Sequence, residues 1–132
     1  MSLAALYLGS IGVACLFAPD LVLASMADGP SPGSMVLTQV LGTLSLALAV
    51  LDWMWKGNRL GGIYGRPVVL ANVLHFVSTA LVTFKAISRA PELGALWLPG
   101  VVYAVFAAGF LLLLFRDPTA DARTQVGSAG PL

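Results

Sequence analysis

Charged residues are scarce in this chain. Only 10% of its 132 residues are Asp, Glu, Lys or Arg, and seven basic against six acidic side chains leave a formal net charge of +1. Nucleic-acid binding requires clustered Lys and Arg that neutralise phosphates, and the chain has no such cluster. We therefore expect no nucleic-acid partner. With 58% hydrophobic residues and a mean hydropathy of +0.91, the composition also lies outside the range of soluble domains.

Residues that usually bind metals or attack substrates are nearly absent. The chain has one cysteine, Cys15, and one histidine, His75. A single cysteine forms no internal disulfide, and these two residues do not supply the three or four ligands of a metal site. A bis-histidine haem would need a second chain, and a Cys15–His75 nucleophile pair has no visible orienting acid. We expect no metal site and no catalytic residues, and the sequence requires no cofactor.

What the chain does contain is long apolar runs, at residues 3–19, 35–55, 67–84 and 93–115. Each approaches the roughly 17 to 25 residues that a helix needs to cross a bilayer, and lipid permits only helices or closed barrels. The runs predict an all-α integral membrane protein, a four-helix transmembrane bundle with antiparallel neighbours. This domain covers residues 1–115, and the small polar residues of 116–132 predict a flexible tail.

The basic residues between the spans predict the orientation of the bundle. With four crossings, both termini lie on the same side as the loop between the second and third spans. That side collects Lys56, Arg59, Arg66, Arg116 and Arg123, and the other side holds Lys85 and Arg89. The positive-inside rule therefore predicts cytoplasmic N- and C-termini and tail. In the first loop, residues 20–27 are apolar enough for an extra helical turn or two, and residues 28–33 predict turns.

The second span carries a stripe of small, weakly polar residues on one face. Its members are Thr38, Gly42, Ser45, Ala49 and Asp52. Such a stripe allows a neighbouring backbone to approach closely, so we predict a helix-packing role for Gly42, Ser45, Ala49 and Asp52. For Asp52 we expect an ion pair with Lys56, four residues later, at the membrane boundary.

The third span is apolar except along one side. Asn72, His75, Thr79 and Thr83 fall within an arc of about 80° at about 100° per residue, so this side has to face protein or water. His75 lies about 12 Å from the inner end of the span at 1.5 Å per residue, close to the bilayer midplane. An ionisable group at that depth is a functional-site hypothesis. The alternative is a neutral histidine hydrogen-bonded between helices, which contributes about 1 kcal/mol to packing.

Matching depths at 1.5 Å per residue places polar groups of the other helices at the levels of Asn72 and Thr79. The resulting candidate pocket consists of Tyr7, Cys15, Thr43, Asn72, His75, Thr79 and Tyr103. A pocket of this kind suits the polar end of a hydrophobic ligand such as a quinone or a lipid. Alternatively, these groups only satisfy one another, and Cys15 is a small buried hydrophobe.

Three segments carry a family resemblance. Leu16-Phe17-Ala18-Pro19 closes the first span, Val40-Leu41-Gly42-Thr43 lies in the second, and Gly62-Ile63-Tyr64-Gly65-Arg66-Pro67 precedes Asn72 and His75-Phe76. Together they resemble the DoxX-like group of small four-helix bacterial membrane proteins. The resemblance implies a bundle in a bacterial inner membrane and an association with respiratory or oxidative-stress machinery. It carries over no catalytic residues.

Two functions from different classes fit these features. The favoured one is a non-enzymatic membrane module that binds a hydrophobic ligand, a lipid or quinone, or a partner membrane subunit. The alternative is a redox-associated or proton-coupled transport protein in which His75 exchanges a proton. Because a bundle of this size buries little helix surface, we also expect a homo-oligomer or docking on another membrane protein.

Overall fold

The computed structural model describes residues 1–24, 29–57 and 65–115, and these segments are helical almost throughout. The elements are α1 (Ser2–Phe17), α2 (Pro19–Ala24), α3 (Pro32–Trp55), α4 (Gly65–Arg89), a short 3-10 helix (Pro91–Leu96) and α5 (Trp97–Phe115). The described segments contain no strand, so the predicted all-α class is confirmed. The predicted tail at 116–132 lies outside the described residues.

Three helical stretches are long and apolar enough to cross a membrane, judged by length and composition. They are Pro32–Trp55, Gly65–Arg89 and Pro91–Phe115. The fourth apolar helix, α1, has 16 residues and covers about 24 Å at 1.5 Å per residue. These features indicate a small membrane protein.

Helix α3 begins at Pro32, earlier than the predicted start at residue 35. The Ser31 hydroxyl accepts a hydrogen bond from the backbone N–H of Ser34 at 3.2 Å, and the Ser34 hydroxyl accepts one from the Ser31 N–H at 2.9 Å. This capping box starts the helix, and proline is tolerated at its first position because the N–H there has no helical partner. The prediction that residues 28–33 all form turns is therefore wrong for Pro32 and Gly33, and Asp28 lies outside the described residues.

The helices associate as two pairs. In the first pair, α1 lies along α3, and in the second, α4 lies along α5. The backbones of the first pair meet at two glycines: a Cβ atom at Gly12 would lie 2.8 Å from the Leu46 backbone nitrogen and 2.9 Å from the Gly42 carbonyl oxygen. Nearer the end of α1, the Gln39 amide donates to the Leu16 carbonyl at 3.3 Å.

Between the two pairs lies a layer that we call the seam, defined by Tyr7, Asp52, Asn72, His75 and Tyr103. Tyr7 on α1 contacts Tyr103 on α5, and Asp52 on α3 contacts Asn72 on α4. The core cluster has members in both pairs: Ala4, Leu8, Ala49, Val69, Val73, Phe76, Ala80, Tyr103, Ala107 and Phe110. The core therefore lies where the pairs meet, and side chains rather than close backbones join them.

Candidate functional site

Two polar side chains meet at the centre of the seam. Asp52 and Asn72 are both 0% exposed, and the Asn72 amide nitrogen donates to Asp52 Oδ1 at 2.6 Å. The same nitrogen donates to the Val68 carbonyl at 3.0 Å. A carboxyl group and an amide from opposite helix pairs thus form one buried hydrogen-bonded unit.

The packing faces of α3 and α4 explain this position. The buried residues of α3 are Gly42, Ser45, Ala49 and Asp52, spaced by three or four residues along one face. They coincide with members of the stripe seen in the sequence. On α4, Asn72 lies on a face whose buried members include Val68 and Phe76. The buried face of α3 packs against α1 at Gly42 and contacts α4 through Asp52, whose carboxyl group meets Asn72.

The expected ion pair between Asp52 and Lys56 is wrong. Asp52 faces α4, whereas Lys56 is exposed at the end of α3 and its ammonium lies 3.2 Å from the ring centroid of Trp53. Pairs of this spacing form when both side chains are exposed on one helix face. Here the carboxyl group of Asp52 is buried and the ammonium of Lys56 makes a cation–π contact, so the two side chains do not pair.

Five buried polar atoms have no hydrogen-bond partner among the described residues. They are Tyr7 Oη, Asp52 Oδ2, Trp55 Nε1, Asn72 Oδ1 and His75 Nε2. Buried polar groups are normally paired, and an unpaired one costs about 1 to 3 kcal/mol. Four of the five belong to the seam, which makes it the candidate binding site.

Two aromatic rings contact the ring of His75. Its ring centroid lies 5.7 Å from that of Tyr103 and 5.4 Å from that of Phe76. Tyr7 approaches Tyr103 from α1, with centroids 5.4 Å apart. The structure therefore brings together three members of the sequence-derived pocket, namely His75, Tyr7 and Tyr103, while Asn72 turns to Asp52.

The remaining members of the sequence-derived pocket are not part of this group of rings. Thr43 is exposed, and its hydroxyl donates to the Gln39 carbonyl of its own helix at 2.9 Å. Its predicted position in the pocket is wrong, because this local hydrogen bond satisfies the hydroxyl without a neighbouring helix. Cys15 is half-buried, and its Cβ lies against Gly42 in the contact between α1 and α3. Thr79 is half-buried on α4.

Within the described ranges, no group of three or more His, Cys, Asp or Glu side chains is arranged to hold a metal ion. The seam instead offers hydrogen-bonding groups of single residues: a carboxyl oxygen, an amide oxygen, a phenol and an imidazole. Groups of these types are able to hydrogen-bond the polar end of an organic molecule or to exchange protons with it.

Comparisons with protein-family models, with curated proteins and with solved structures give no match. The DoxX-like resemblance therefore stays a prediction, and the seam is the feature from which a function follows.

Proposed function

We propose that the protein is a non-enzymatic membrane module that binds a hydrophobic ligand, a lipid or a quinone, with its polar end in the seam. The observation that carries this proposal is the Asp52–Asn72 pair, whose two side chains are completely buried and each retain an oxygen without a partner. Ligand sites are mostly apolar with a few placed polar groups, and here the polar groups of the seam lie next to the apolar core cluster.

The architecture that we propose is a four-helix transmembrane bundle in which α1 is the fourth span and neighbours run antiparallel. Contacts in the first pair support opposite directions, because Leu16 lies beside Gln39 and Gly9 beside Ala49. We further propose a bacterial inner membrane, cytoplasmic termini and membership of the DoxX-like group. A reporter fused after Leu132 should be found on the cytoplasmic side of the membrane. A reporter found on the outer side would show that the proposed orientation is reversed.

Ligand binding is testable through molecules that copurify with the full chain. We expect a lipid or quinone enriched with the wild type to fall about tenfold or more when Asp52→Leu and Asn72→Leu are combined, because the polar contacts are lost. Mass spectrometry of protein purified in mild detergent measures this. Thr43→Val, which removes an exposed hydroxyl on α3, is the control. Equal amounts with all three proteins would contradict the proposal.

A partner membrane protein or a second copy is also part of the proposal. The exposed apolar side chains include Leu41 and Leu44 on α3 and Val105 and Leu112 on α5. In the proposed bundle these faces meet lipid or another protein. Crosslinking in native membranes should therefore give species larger than the monomer, and recovery of monomer alone would refute association.

A second candidate function, redox-associated or proton-coupled transport, is favoured by His75. Its Nε2 is buried without a partner and its ring lies beside Tyr103. The change His75→Phe should retain the ring contacts and alter the free energy of unfolding by less than about 1 kcal/mol, because no described hydrogen bond is lost. Proton flux in liposomes should nevertheless disappear. Ser78→Ala, at an exposed position of α4, is the control, and flux retained by His75→Phe excludes this role.

A further inference from the structure

Both unpartnered atoms of the Asp52–Asn72 pair are oxygens. The Asn72 nitrogen uses its two hydrogens on Asp52 Oδ1 and on the Val68 carbonyl. The reverse orientation would set the amide oxygen against these two acceptors, so the hydrogen-bond network identifies Oδ1 as the free atom. Together with Asp52 Oδ2, the pair presents two acceptors and no free N–H group.

The carboxyl group also has to be neutralised where it is buried. A buried carboxylate is costly unless a cation or a proton neutralises it. Lys56 does not serve this purpose, because its ammonium lies over the Trp53 ring. No described side chain donates a hydrogen bond to Asp52 Oδ2. A cation with N–H donors would supply both the charge and the hydrogen bonds that these two oxygens lack.

We propose that the seam binds a primary ammonium group carried on an apolar chain, with N–H donors directed to Asp52 Oδ2 and Asn72 Oδ1. An ammonium has three N–H donors, no acceptor and a positive charge, and so complements both oxygens at once. This inference rests on the proposed function, because it names the polar end of the ligand bound there.

The surroundings of the pair suit an apolar chain. Ala49, one turn before Asp52, and Val69 and Val73, which flank Asn72, belong to the buried core. The helix pairs meet here through side chains, whereas the backbones of the first pair are in contact at Gly12 and Gly42. At the seam, side chains rather than backbone contacts hold the helix pairs together.

Three probes with the same dodecyl chain test the head group. Dodecylamine, dodecyltrimethylammonium and dodecanoate are added to the full chain in phosphatidylcholine nanodiscs, and the unfolding midpoint is followed against concentration. Dodecylamine, protonated at neutral pH, should raise the midpoint at a roughly tenfold lower concentration than the trimethylammonium probe, which has the charge but no N–H donor. Dodecanoate should have no effect. Equal stabilisation by the two cations would refute the proposal.

The change Asp52→Asn removes the charge with little change of shape and should abolish the preference for dodecylamine. Asp20→Asn, at an exposed acid on α2, should retain it. An Asp52→Asn protein that keeps the preference would refute the proposal. If Asp52→Asn does not fold, the probe series on the wild type still decides. Nanodiscs containing phosphatidylethanolamine, compared with pure phosphatidylcholine, show whether a lipid supplies the ammonium or only a free amine does.

The two proposals fail in different ways. If all three probes stabilise the wild type equally, the ammonium inference is wrong while ligand binding at the seam stands. If no probe stabilises the protein, the ammonium inference is again wrong. If, in addition, the double leucine variant retains the copurifying molecules, ligand binding at the seam is wrong as well.

Discussion

Replacing Gly42 with alanine should destabilise the protein by about 3 kcal/mol or more, the upper end of the range for overpacked positions. The added Cβ would lie 2.8 Å from the Leu16 backbone nitrogen and 2.9 Å from the Gly12 carbonyl oxygen. Backbone atoms do not rotate out of the way as side chains do, so α1 and α3 have to separate. Gly12→Ala should have an effect of the same size, since its Cβ would meet the backbone of Leu46.

Gly9→Ala is the matched control for this prediction. It lies on α1 one turn from Gly12, and its Cβ would be 3.7 Å from the Ala49 Cβ, an ordinary contact. We expect it to be neutral or slightly stabilising, because alanine favours a helix over glycine. Reversible unfolding in mixed micelles measures all three variants. Similar losses for Gly9→Ala and Gly12→Ala would show that backbone contact at the glycines does not hold the first pair together.

Replacing Asn72 with leucine should destabilise the protein by about 3 to 5 kcal/mol, because it leaves the buried carboxyl group of Asp52 without its donor. Adding Asp52→Leu should recover most of this loss. Removal of both partners leaves no buried polar group unpaired, and such replacements of buried polar pairs are often neutral.

A double-mutant cycle, with unfolding free energies of the two single variants and the double variant, measures this coupling. Gln39→Leu is the control: it removes an exposed side-chain hydrogen bond, 3.3 Å long, to the Leu16 carbonyl and should cost little. Additive effects of Asn72→Leu and Asp52→Leu would mean that the 2.6 Å contact contributes no coupling to the folded protein.

The helices could be anticipated because their cause is local. Apolar runs long enough for a bilayer crossing require every backbone group to bond within its own segment, and the helices follow these runs to within a few residues. The stripe at Gly42, Ser45, Ala49 and Asp52 follows from the 3.6-residue period, and the same residues form the buried face of α3. The sequence pattern does not predict the start at Pro32, because Gly and Pro alone indicate turns here and the cap that Ser31 and Ser34 form depends on their side chains.

The site was harder to anticipate because it depends on contacts between helices. The sequence pattern places Asp52 and Asn72 in separate sets, although both lie within about two turns of the end of α3 and the start of α4. That shared depth was the available signal. For Thr43, depth alone gave the wrong result, because rotation about the helix axis decides whether a residue meets a neighbour or faces outward. The sequence does not show which residues Gly12 contacts. They are known only from the structure, where α1 and α3 lie together.

The division into two helix pairs has a consequence for biosynthesis. Because α3 precedes α4 in the chain, Asp52 is synthesised before Asn72 exists, while Gly12 and Gly42 are already able to bring α1 and α3 together. In the proposed bundle, the carboxyl group therefore remains near the end of α3, within reach of water, until translation delivers α4. Burial of Asp52 therefore requires that both helix pairs are present and packed together.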